Sequence, residues 1–303
     1  QLLQGIKTIG KKVDQTGDVL SVCYAADQCE KNSLFVAISG LAHDGHDFIG
    51  QAIERGARFI VHQKHIGVPD GIIAIKVSDS RRALGQLAKN YFGDPSSRLT
   101  LIGITGTSGK TTVSYLLESI LTAAGFRCGV LGTVNYRYNG KILRAPNTTP
   151  ESYEMQKILR EMASGGVTHV IAEVSSHALD LRRVDDCDFD LGIFTNLSPE
   201  HLDYHKDMED YFRAKKRFFT ELLAQSKKDC PQKMVANADD PWGRRLLSEV
   251  RIPALSYGLD KNTGVTAEHE EITIDGIRAE ISLSGKKITV SSRLIGRFNL
   301  SNI

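Results

Sequence analysis

A glycine-rich segment followed by a lysine and two threonines carries the strongest chemical signal in the sequence. Residues 103–112 read GITGTSGKTT. Glycines let backbone N–H groups wrap around phosphates, Lys110 can reach the terminal phosphate oxygens, and Thr111 can bind Mg²⁺. A plain glycine turn between a strand and a helix is the alternative, and the Lys-Thr-Thr sequence argues against it. We predict a triphosphate-binding loop formed by Gly106, Thr107, Ser108, Gly109, Lys110, Thr111 and Thr112.

The loop departs from the common pattern, because Ile104 stands where GxxxxGK[ST] has its first glycine. The apolar strand ending in Asp that often accompanies such a loop is also missing. Instead, VIAEVSSHAL places Glu173 at a strand end, and GIFTNLSPEHLDYH delivers His201, Asp203 and His205 just after another. Ligands of open α/β sheets bind at the carboxyl ends of strands, so Glu173 is a candidate Mg²⁺ ligand. A structural hydrogen bond for Glu173 and a surface position for the histidines remain the alternatives.

A lysine occupies an apolar position in the helix sequence MEDYFRAKKRFFTELL. With Met208 at zero, Tyr211 lies at about 300°, Lys215 at about 340° and Phe219 at about 20° around the helix. A buried ammonium costs several kcal/mol unless it is paired, neutralised or chemically changed. A neutral lysine can add carbon dioxide and become a carbamate, which binds metals as a carboxylate does. The alternative is a lysine that reaches past the apolar stripe to solvent.

Strands that alternate with helices predict how these residues are held. A small α/β unit ends near residue 92, and the turn sequence GDPSS places a domain boundary near residue 98. After it, an apolar strand runs directly into the glycine loop, and an amphipathic helix follows. The continuing alternation predicts a mostly parallel sheet flanked by helices, similar to P-loop NTPases. Turns at residues 275–276 and 284–285 predict antiparallel hairpins near the C-terminus.

Composition narrows the class of protein. The 38 basic and 36 acidic residues nearly balance, which argues against a nucleic-acid or anionic-membrane partner. The sequence lacks a signal peptide and any apolar run long enough to span a bilayer, so we expect a cytoplasmic enzyme. The five cysteines are scattered without a CxxC pair, and we expect reduced thiols.

Several segments together resemble the Mur ligases of bacterial cell-wall synthesis. These are LFVAISGLAHDGHDFIGQAIERGARFIV, TGTSGKTT, NTTPES, EVSSHAL, NLSPEHLDYHKDMEDYFRAK and GRFNLSNI, and they cover nearly the whole chain. Their order and spacing are similar to the branch that joins a diamino acid to UDP-N-acetylmuramoyl-L-alanyl-D-glutamate. The implied reaction is ATP-dependent amide formation through an acyl phosphate, usually by a monomer. EVSSHAL distinguishes the chain from the MurF branch.

The resemblance implies a role for each matching residue. Lys110 and Thr111 would hold the ATP phosphates and a first Mg²⁺, which Glu173 would also bind. His201 and carbamylated Lys215 would serve a second Mg²⁺. The remaining implied contacts are to the muramoyl-peptide substrate, from Asn147, Thr148, Thr149, Ser175 and Arg183, and to adenine, from Asn299 and Asn302.

The resemblance also implies a domain organisation. Residues 1–98 would bind the UDP-muramoyl substrate, residues 99–303 would bind ATP, and the family's third domain, which selects the amino acid, would lie beyond this sequence. The chain alone would then bind nucleotide without turning over, and meso-diaminopimelate and L-lysine both remain open. The family's Asp-Ser-Arg contact to uracil is replaced by Asp27-Gln28-Cys29. Folylpolyglutamate synthetase, another Mur ligase, a P-loop kinase and a nucleotide-gated regulator are the rival functions.

Overall fold

A computed structural model describes residues 1–10, 17–40, 43–259 and 262–303. Leu41 and Ala42, within the LFVAISGLAHDGHDF segment, therefore lie outside the described residues. The chain divides into two compact units. The first contains Gln1–Pro95, Glu151–Arg160 and Leu181–Asp186, and the second contains Ser96–Pro150, Glu161–Asp180 and Cys187–Ile303.

The first unit is built on a parallel four-stranded sheet in the order β1-β2-β3-β4. Alternate residues of β2 face opposite sides, as the pleat requires. Leu34 packs with Leu84 and Leu87 of α2 on one side, whereas Phe35 packs with Ile49 of α1 on the other. The elements are β1 (Ser21–Cys23), β2 (Ser33–Val36), α1 (Ile49–Glu54), β3 (Ala57–His62), β4 (Ile73–Lys76) and α2 (Ser80–Phe92).

The second unit is built on an eleven-stranded sheet in the order β15-β14-β13-β12-β11-β10-β5-β9-β6-β7-β8. Its strands are β5 (Thr100–Thr105), β6 (Cys128–Leu131), β7 (Asn135–Tyr138), β8 (Lys141–Arg144), β9 (His169–Glu173), β10 (Leu191–Phe194), β11 (Lys233–Asn237), β12 (Ala254–Gly258), β13 (Val265–Thr273), β14 (Gly276–Leu283) and β15 (Lys286–Ser292). From β6 to β13 across the sheet, neighbouring strands run parallel. The α/β class and the antiparallel hairpins predicted near the C-terminus are confirmed. The antiparallel strands β6, β7 and β8, joined by two further hairpins, were not predicted.

The remaining helices are α3 (Lys110–Ala123), α4 (Ser152–Ser164), α5 (Ser176–Asp180), α6 (Met208–Arg217), α7 (Pro241–Glu249) and α8 (Arg297–Leu300). Residues 208–224, predicted as one helix, instead form α6 followed by a π-helical stretch, Phe218–Leu223. Within the described ranges, every helix is too short or too polar to cross a lipid bilayer. Strand β5 lies between β9 and β10, so the carboxyl ends of three parallel strands meet at one edge of the sheet.

Candidate phosphate and metal site

The glycine loop joins β5 directly to α3, as the sequence predicts. Gly106 has φ +146° and Gly109 has φ +88°, a region that side chains other than glycine rarely adopt. A Cβ atom at Gly106 would lie 2.0 Å from the Thr195 hydroxyl oxygen. Residues after β10 support the loop, because the Asn196 side-chain oxygen accepts from the Ser108 N–H at 2.9 Å and the Thr195 hydroxyl donates to the Ser108 carbonyl at 2.7 Å. Thr107 lies in the glycine loop, and Thr112 lies in the first turn of α3.

Lys110 is folded onto the loop that precedes it. Its Nζ donates to the carbonyl oxygens of Gly106 and Thr107, each at 2.8 Å. Burial lowers the pKa of Lys110, while the carboxylates of Glu173 and Glu200 oppose that shift. The amine therefore lies against the backbone that would surround a phosphate.

Glu173 ends β9 and is 1% exposed. Its carboxylate accepts from the Thr111 hydroxyl at 2.9 Å, the Thr133 hydroxyl at 2.8 Å and the Thr133 N–H at 3.3 Å. The sequence reasoning missed Thr133. The available signal was the Gly-Thr pair after the apolar run CGVL, because β6 lies beside β9 and their carboxyl ends meet. A hydroxyl and a carboxylate in contact form a suitable pair of oxygen ligands for Mg²⁺.

Three of the predicted substrate residues continue from this carboxylate. The Thr148 and Thr133 hydroxyl oxygens are 3.1 Å apart. The Thr149 hydroxyl donates to the Glu173 carbonyl at 2.8 Å and accepts from the Ser175 N–H at 3.1 Å. A polar row therefore leads from the loop along the ends of β6 and β9.

The other two predicted substrate residues make contacts of their own. Asn147 is exposed, and its carbonyl accepts from the Tyr136 hydroxyl at 2.6 Å. Arg183 belongs to the first unit, where its Nε lies 3.4 Å from the Glu151 carboxylate. Arg81 pairs with the same carboxylate at 3.1 Å.

Lys215 is buried at the centre of the apolar face of α6, at 1% exposed. Its Nζ donates to the Gly106 carbonyl at 2.9 Å and lies 4.6 Å from the centre of the Tyr211 ring. Burial, reinforced by the nearby Lys110, lowers the pKa of Lys215 well below its usual value. The alternative that Lys215 extends to solvent is therefore wrong. The next residue, Lys216, is half-buried and pairs with Glu249.

The predicted histidine ligand lies on the exposed segment after β10. His201 has φ +57°, and its Nε2 is 4.0 Å from the Glu200 carboxylate. Its ring centre lies 6.2 Å from that of Tyr211, the same ring that contacts Lys215. Tyr211, which the sequence reasoning treated only as an apolar residue, also places its hydroxyl 3.3 Å from that of Thr107.

Asp203 and His205, the other two candidates on this segment, differ in how far they are exposed to solvent. Asp203 is exposed. His205 is buried, stacks on Tyr211 at 5.0 Å, and has its pKa lowered by burial. His205 therefore supports the packing of α6.

The two asparagines near the C-terminus lie on the other side of the loop. The Asn302 side chain donates to the Asn299 side-chain oxygen at 3.0 Å. The Asn302 amide oxygen lies 2.4 Å from the position of a Cβ atom built at Gly109. Beside them is a mainly apolar cavity of about 220 Å³, lined in part by Val113, Leu117 and Tyr257.

The first unit has its own cavity of about 460 Å³. Residues 24–27, which follow β1, form one wall, and Phe35 and Phe48 form others. Asp44 holds the opposite loop, because its carboxylate accepts from the His46 N–H at 3.0 Å and pairs with Lys64. In the Asp27-Gln28-Cys29 segment singled out in the sequence, Asp27 lines the cavity. Gln28 ends the 3₁₀ turn Ala26–Gln28, and Cys29 follows it.

Comparison with known proteins agrees with this architecture. Residues 104–303 match the Mur ligase middle domain, and residues 19–92 match the catalytic domain of the Mur ligase family. A UDP-N-acetylmuramoyl-L-alanyl-D-glutamate--2,6-diaminopimelate ligase of Geobacter metallireducens is 46% identical over 91% of this chain and 54% of its own length. The ligase of the same name from Geobacter sulfurreducens is 42% identical over the full chain and 59% of its own length. The chain thus spans a little over half the length of these relatives.

Solved structures give the same result. A UDP-N-acetylmuramoyl-L-alanyl-D-glutamate--2,6-diaminopimelate ligase superposes with a TM-score of 0.84 at 25% identity, over 98% of this chain and 62% of that one. MurF of Thermotoga maritima in complex with ADP superposes with a TM-score of 0.60 at 21% identity, over 94% of this chain and 61% of that one, a likeness of fold alone. Because one family model matches most of the chain, the chain belongs to the Mur ligase family.

Proposed function

We propose that the protein binds ATP and Mg²⁺ at the glycine loop and activates a carboxylate for amide-bond formation. The observation that carries this proposal is the buried Lys215, whose amine contacts the same Gly106 carbonyl as Lys110. A loop that only binds or hydrolyses a nucleotide has no use for a second, neutralised lysine. The Thr111 and Glu173 pair, 2.9 Å apart, supports a metal beside the phosphates.

The ATP and Mg²⁺ assignments follow the donor types. Backbone N–H groups of the loop and the Lys110 ammonium would bind the phosphates. Thr111 and Glu173 would hold the first Mg²⁺, which neutralises charge on the phosphate oxygens. Asn302, in contact with Gly109, and Asn299 behind it would approach the adenine.

A carbamate on Lys215 would complete a second Mg²⁺ site together with His201. Carbamylation needs a neutral amine, and the burial that lowers the pKa of Lys215 supplies one. The nitrogen lone pair attacks the carbon of CO₂, and the amine loses one proton. The product is an anion beside the Lys110 cation, an attractive pair that the neutral amine does not form.

The substrates that we propose are UDP-N-acetylmuramoyl-L-Ala-D-Glu and a diamino acid. Asn147, Thr148, Thr149, Ser175 and Arg183 would contact the muramoyl peptide, and residues 1–98 would bind its UDP end. The printed names of both Geobacter relatives favour 2,6-diaminopimelate over lysine. Such water-soluble nucleotide substrates fit a cytoplasmic monomer without nucleic-acid or membrane partners.

The reaction would proceed in two steps. An oxygen of the terminal D-glutamate carboxylate attacks the γ-phosphorus of ATP, and the bond to the bridging oxygen breaks to release ADP. The diamino-acid amine then attacks the acyl carbon, loses a proton, and inorganic phosphate leaves. Negative charge develops on the transferring phosphoryl oxygens, and Lys110 is positioned to stabilise it.

The test supplies the full-length enzyme with ATP, Mg²⁺, the UDP-muramoyl dipeptide and 2,6-diaminopimelate, and measures inorganic phosphate together with the tripeptide product by mass spectrometry. We expect ATP consumption that depends on the dipeptide. Calorimetry of ATP binding is a second readout, since a nucleotide-binding chain without turnover would still bind ATP when Mg²⁺ is present. ATP consumption that ignores the dipeptide would instead favour a kinase or a nucleotide-gated regulator.

The carbamate is tested in the full-length enzyme with Lys215→Ala and, as the matched control, Lys216→Ala. We expect the first substitution to abolish ligation and short carboxylic acids to restore part of it. The control should retain activity because Lys216 is half-buried and faces Glu249. Activity of Lys215→Ala close to that of the unmodified protein would rule out the carbamate.

A further inference from the structure

Two cysteines that are not adjacent in sequence lie in contact within the first unit. Cys23 is the last residue of β1, and Cys29 follows the 3₁₀ turn Ala26–Gln28. Their Sγ atoms are 2.9 Å apart. The two residues are 2% and 4% exposed, and they pack in the same apolar cluster as Phe35. Nothing in the proposed ligase chemistry uses them.

Their surroundings give the two thiols different reactivity. The hydrogen bond from Cys23 and the charge of Arg55 lower the pKa of Cys29, although burial opposes this shift. The same hydrogen bond and burial raise the pKa of Cys23. Arg55 is held over the turn because its Nη1 donates to the Asp27 carbonyl at 3.2 Å. Cys29 is therefore the thiol that ionises first, and the thiolate is the reactive form.

Access to Cys29 requires only a local opening of the turn. The residues on either side of it, Gln28 and Glu30, are exposed, as is Asp27. A small oxidant needs no more than a shift of this short segment. Bringing the two sulfur atoms to bonding distance needs a movement of about 1 Å.

We propose that Cys23 and Cys29 form a redox-active dithiol that a hydroperoxide oxidises to a disulfide, fixing one wall of the adjacent cavity. The Cys29 thiolate attacks the peroxide oxygen, an S–O bond forms, the O–O bond breaks, and hydroxide leaves. The Cys23 thiol then attacks the Cys29 sulfur, an S–S bond forms, and the S–O bond breaks. With the two thiol protons, the oxygens of hydrogen peroxide leave as two water molecules.

The disulfide would act on the cavity because the residues between the two cysteines form its wall. Tyr24, Ala25, Ala26 and Asp27 all line the cavity of about 460 Å³. A disulfide between Cys23 and Cys29 would limit the movement of residues 24–27 when a ligand enters the cavity. This consequence rests on the proposed function, in which the first unit binds the UDP end of the substrate.

The first experiment locates the bond without using any ligand. The whole protein is treated with hydrogen peroxide, quenched with catalase, denatured, alkylated with N-ethylmaleimide and cleaved before Asp27, which separates Cys23 from Cys29. We expect the two resulting peptides to remain linked, with a mass about 2 Da below the sum of the unlinked thiol forms, and to separate in dithiothreitol. Alkylation of both cysteines after peroxide treatment would overturn the proposal.

Variants separate a specific pair from general thiol oxidation. Cys29→Ser should abolish the link, and Cys230→Ser, at an exposed cysteine, should leave it intact. In Cys23→Ala, the resolving thiol is absent, so dimedone should label Cys29 as the sulfenic acid. Dimedone labelling at Cys23 in Cys29→Ser but not at Cys29 in Cys23→Ala would overturn the assigned order of reaction.

The second experiment measures UDP binding by calorimetry before oxidation, after it, and after reduction. We expect the disulfide to weaken binding at least threefold and dithiothreitol to restore it. Equal affinities in the linked and reduced forms would overturn the effect on the cavity. A reduced protein that does not bind UDP would count against the proposed function of the first unit, whereas the peptide mapping tests the disulfide independently.

Discussion

Replacing the buried amine by an apolar side chain of similar length should stabilise the second unit. Lys215 is 1% exposed, and its one hydrogen bond is to the Gly106 carbonyl. That carbonyl also accepts from Lys110 at 2.8 Å, so Lys215→Met leaves it satisfied. Removing a buried polar group recovers about 2–4 kcal/mol, from which the lost hydrogen bond subtracts about 1 kcal/mol. We expect Lys215→Met to raise the free energy of unfolding by about 1–3 kcal/mol at pH 7.

The pH dependence gives this prediction a second test. The pKa of Lys215 is lowered in the folded state, so the unfolded chain binds one more proton between the folded and unfolded pKa values. Stability of the unsubstituted protein therefore rises with pH in this window, by up to about 1.4 kcal/mol per unit. Lys215→Met lacks this proton, so the difference between the two proteins should shrink from pH 7 to pH 9.

The chain contains a convenient probe for this measurement. Trp242, the single tryptophan, lies in the second unit with its ring centre 5.0 Å from that of Phe212 on α6. Its fluorescence during urea unfolding in CO₂-depleted buffer reports the unit that holds Lys215. Lys216→Met is the matched control and should change stability by less than about 1 kcal/mol, because a partly exposed ion pair contributes little. Lower stability of Lys215→Met at pH 7, or a difference independent of pH, would refute the reasoning.

Three other substitutions test the glycine loop, the contacts of Glu173 and the ion pair of Asp44. Gly106→Ala should lower the free energy of unfolding by roughly 2–4 kcal/mol. The new methyl group would overlap the Thr195 hydroxyl, and the backbone φ of +146° is unfavourable for alanine. Urea unfolding followed by tryptophan fluorescence measures this change. Glu173→Gln should lower the free energy of unfolding by about 1–3 kcal/mol in the same assay. The reason is that the new amide N–H₂ would face hydroxyl donors that now bind a carboxylate. Unchanged stability would contradict that contact. Hydrogen bonds from Lys64 and from the adjacent loop hold the pKa of Asp44 below its usual value. The ionised Asp44 side chain therefore stabilises the fold above about pH 4, and this stabilisation is lost as the pH falls through the lower pKa of the folded state. Asp44→Asn should remove that contribution, and circular dichroism during acid titration should show a smaller pH dependence for the variant.

Periodicity and strand ends predicted from the sequence where Lys215 and Glu173 lie in the fold. Lys215 was identified because helical spacing alone places it among Tyr211, Phe212 and Phe219, all buried with it. Glu173 was identified because a polar residue at the end of an apolar strand must lie at the ligand-binding edge of a parallel sheet. Both predictions depend on the regular spacing of apolar residues within one helix or strand, which can be read from a single sequence.

The features that escaped prediction depend either on long-range strand pairing or on local turns that were overlooked. Thr133 reaches Glu173 only because β6 pairs with β9, and that pairing joins segments about 40 residues apart. Cys23 and Cys29 meet only because a 3₁₀ turn closes the segment between them. The β7-β8 hairpin was missed although its turn, Asn139-Gly140, is a strong local signal. The hairpin and the cysteine contact both reflect overlooked local turns, whereas the Thr133 contact required a long-range pairing.

The position of Lys215 indicates chemistry because packing does not require an amine there. The Gly106 carbonyl has a donor without it, and the neighbouring aromatic side chains would accept a methionine or leucine equally well. Burial and the nearby Lys110 both disfavour the charged form of an amine at this position, so the amine lowers the stability of the fold. Perturbed groups of this kind concentrate at functional sites, where a reactive form is needed at neutral pH. A neutral amine beside a loop suited to phosphates is nucleophilic toward CO₂. Its carbamate would place an anion beside Lys110, whose charged form the carboxylates of Glu173 and Glu200 also favour.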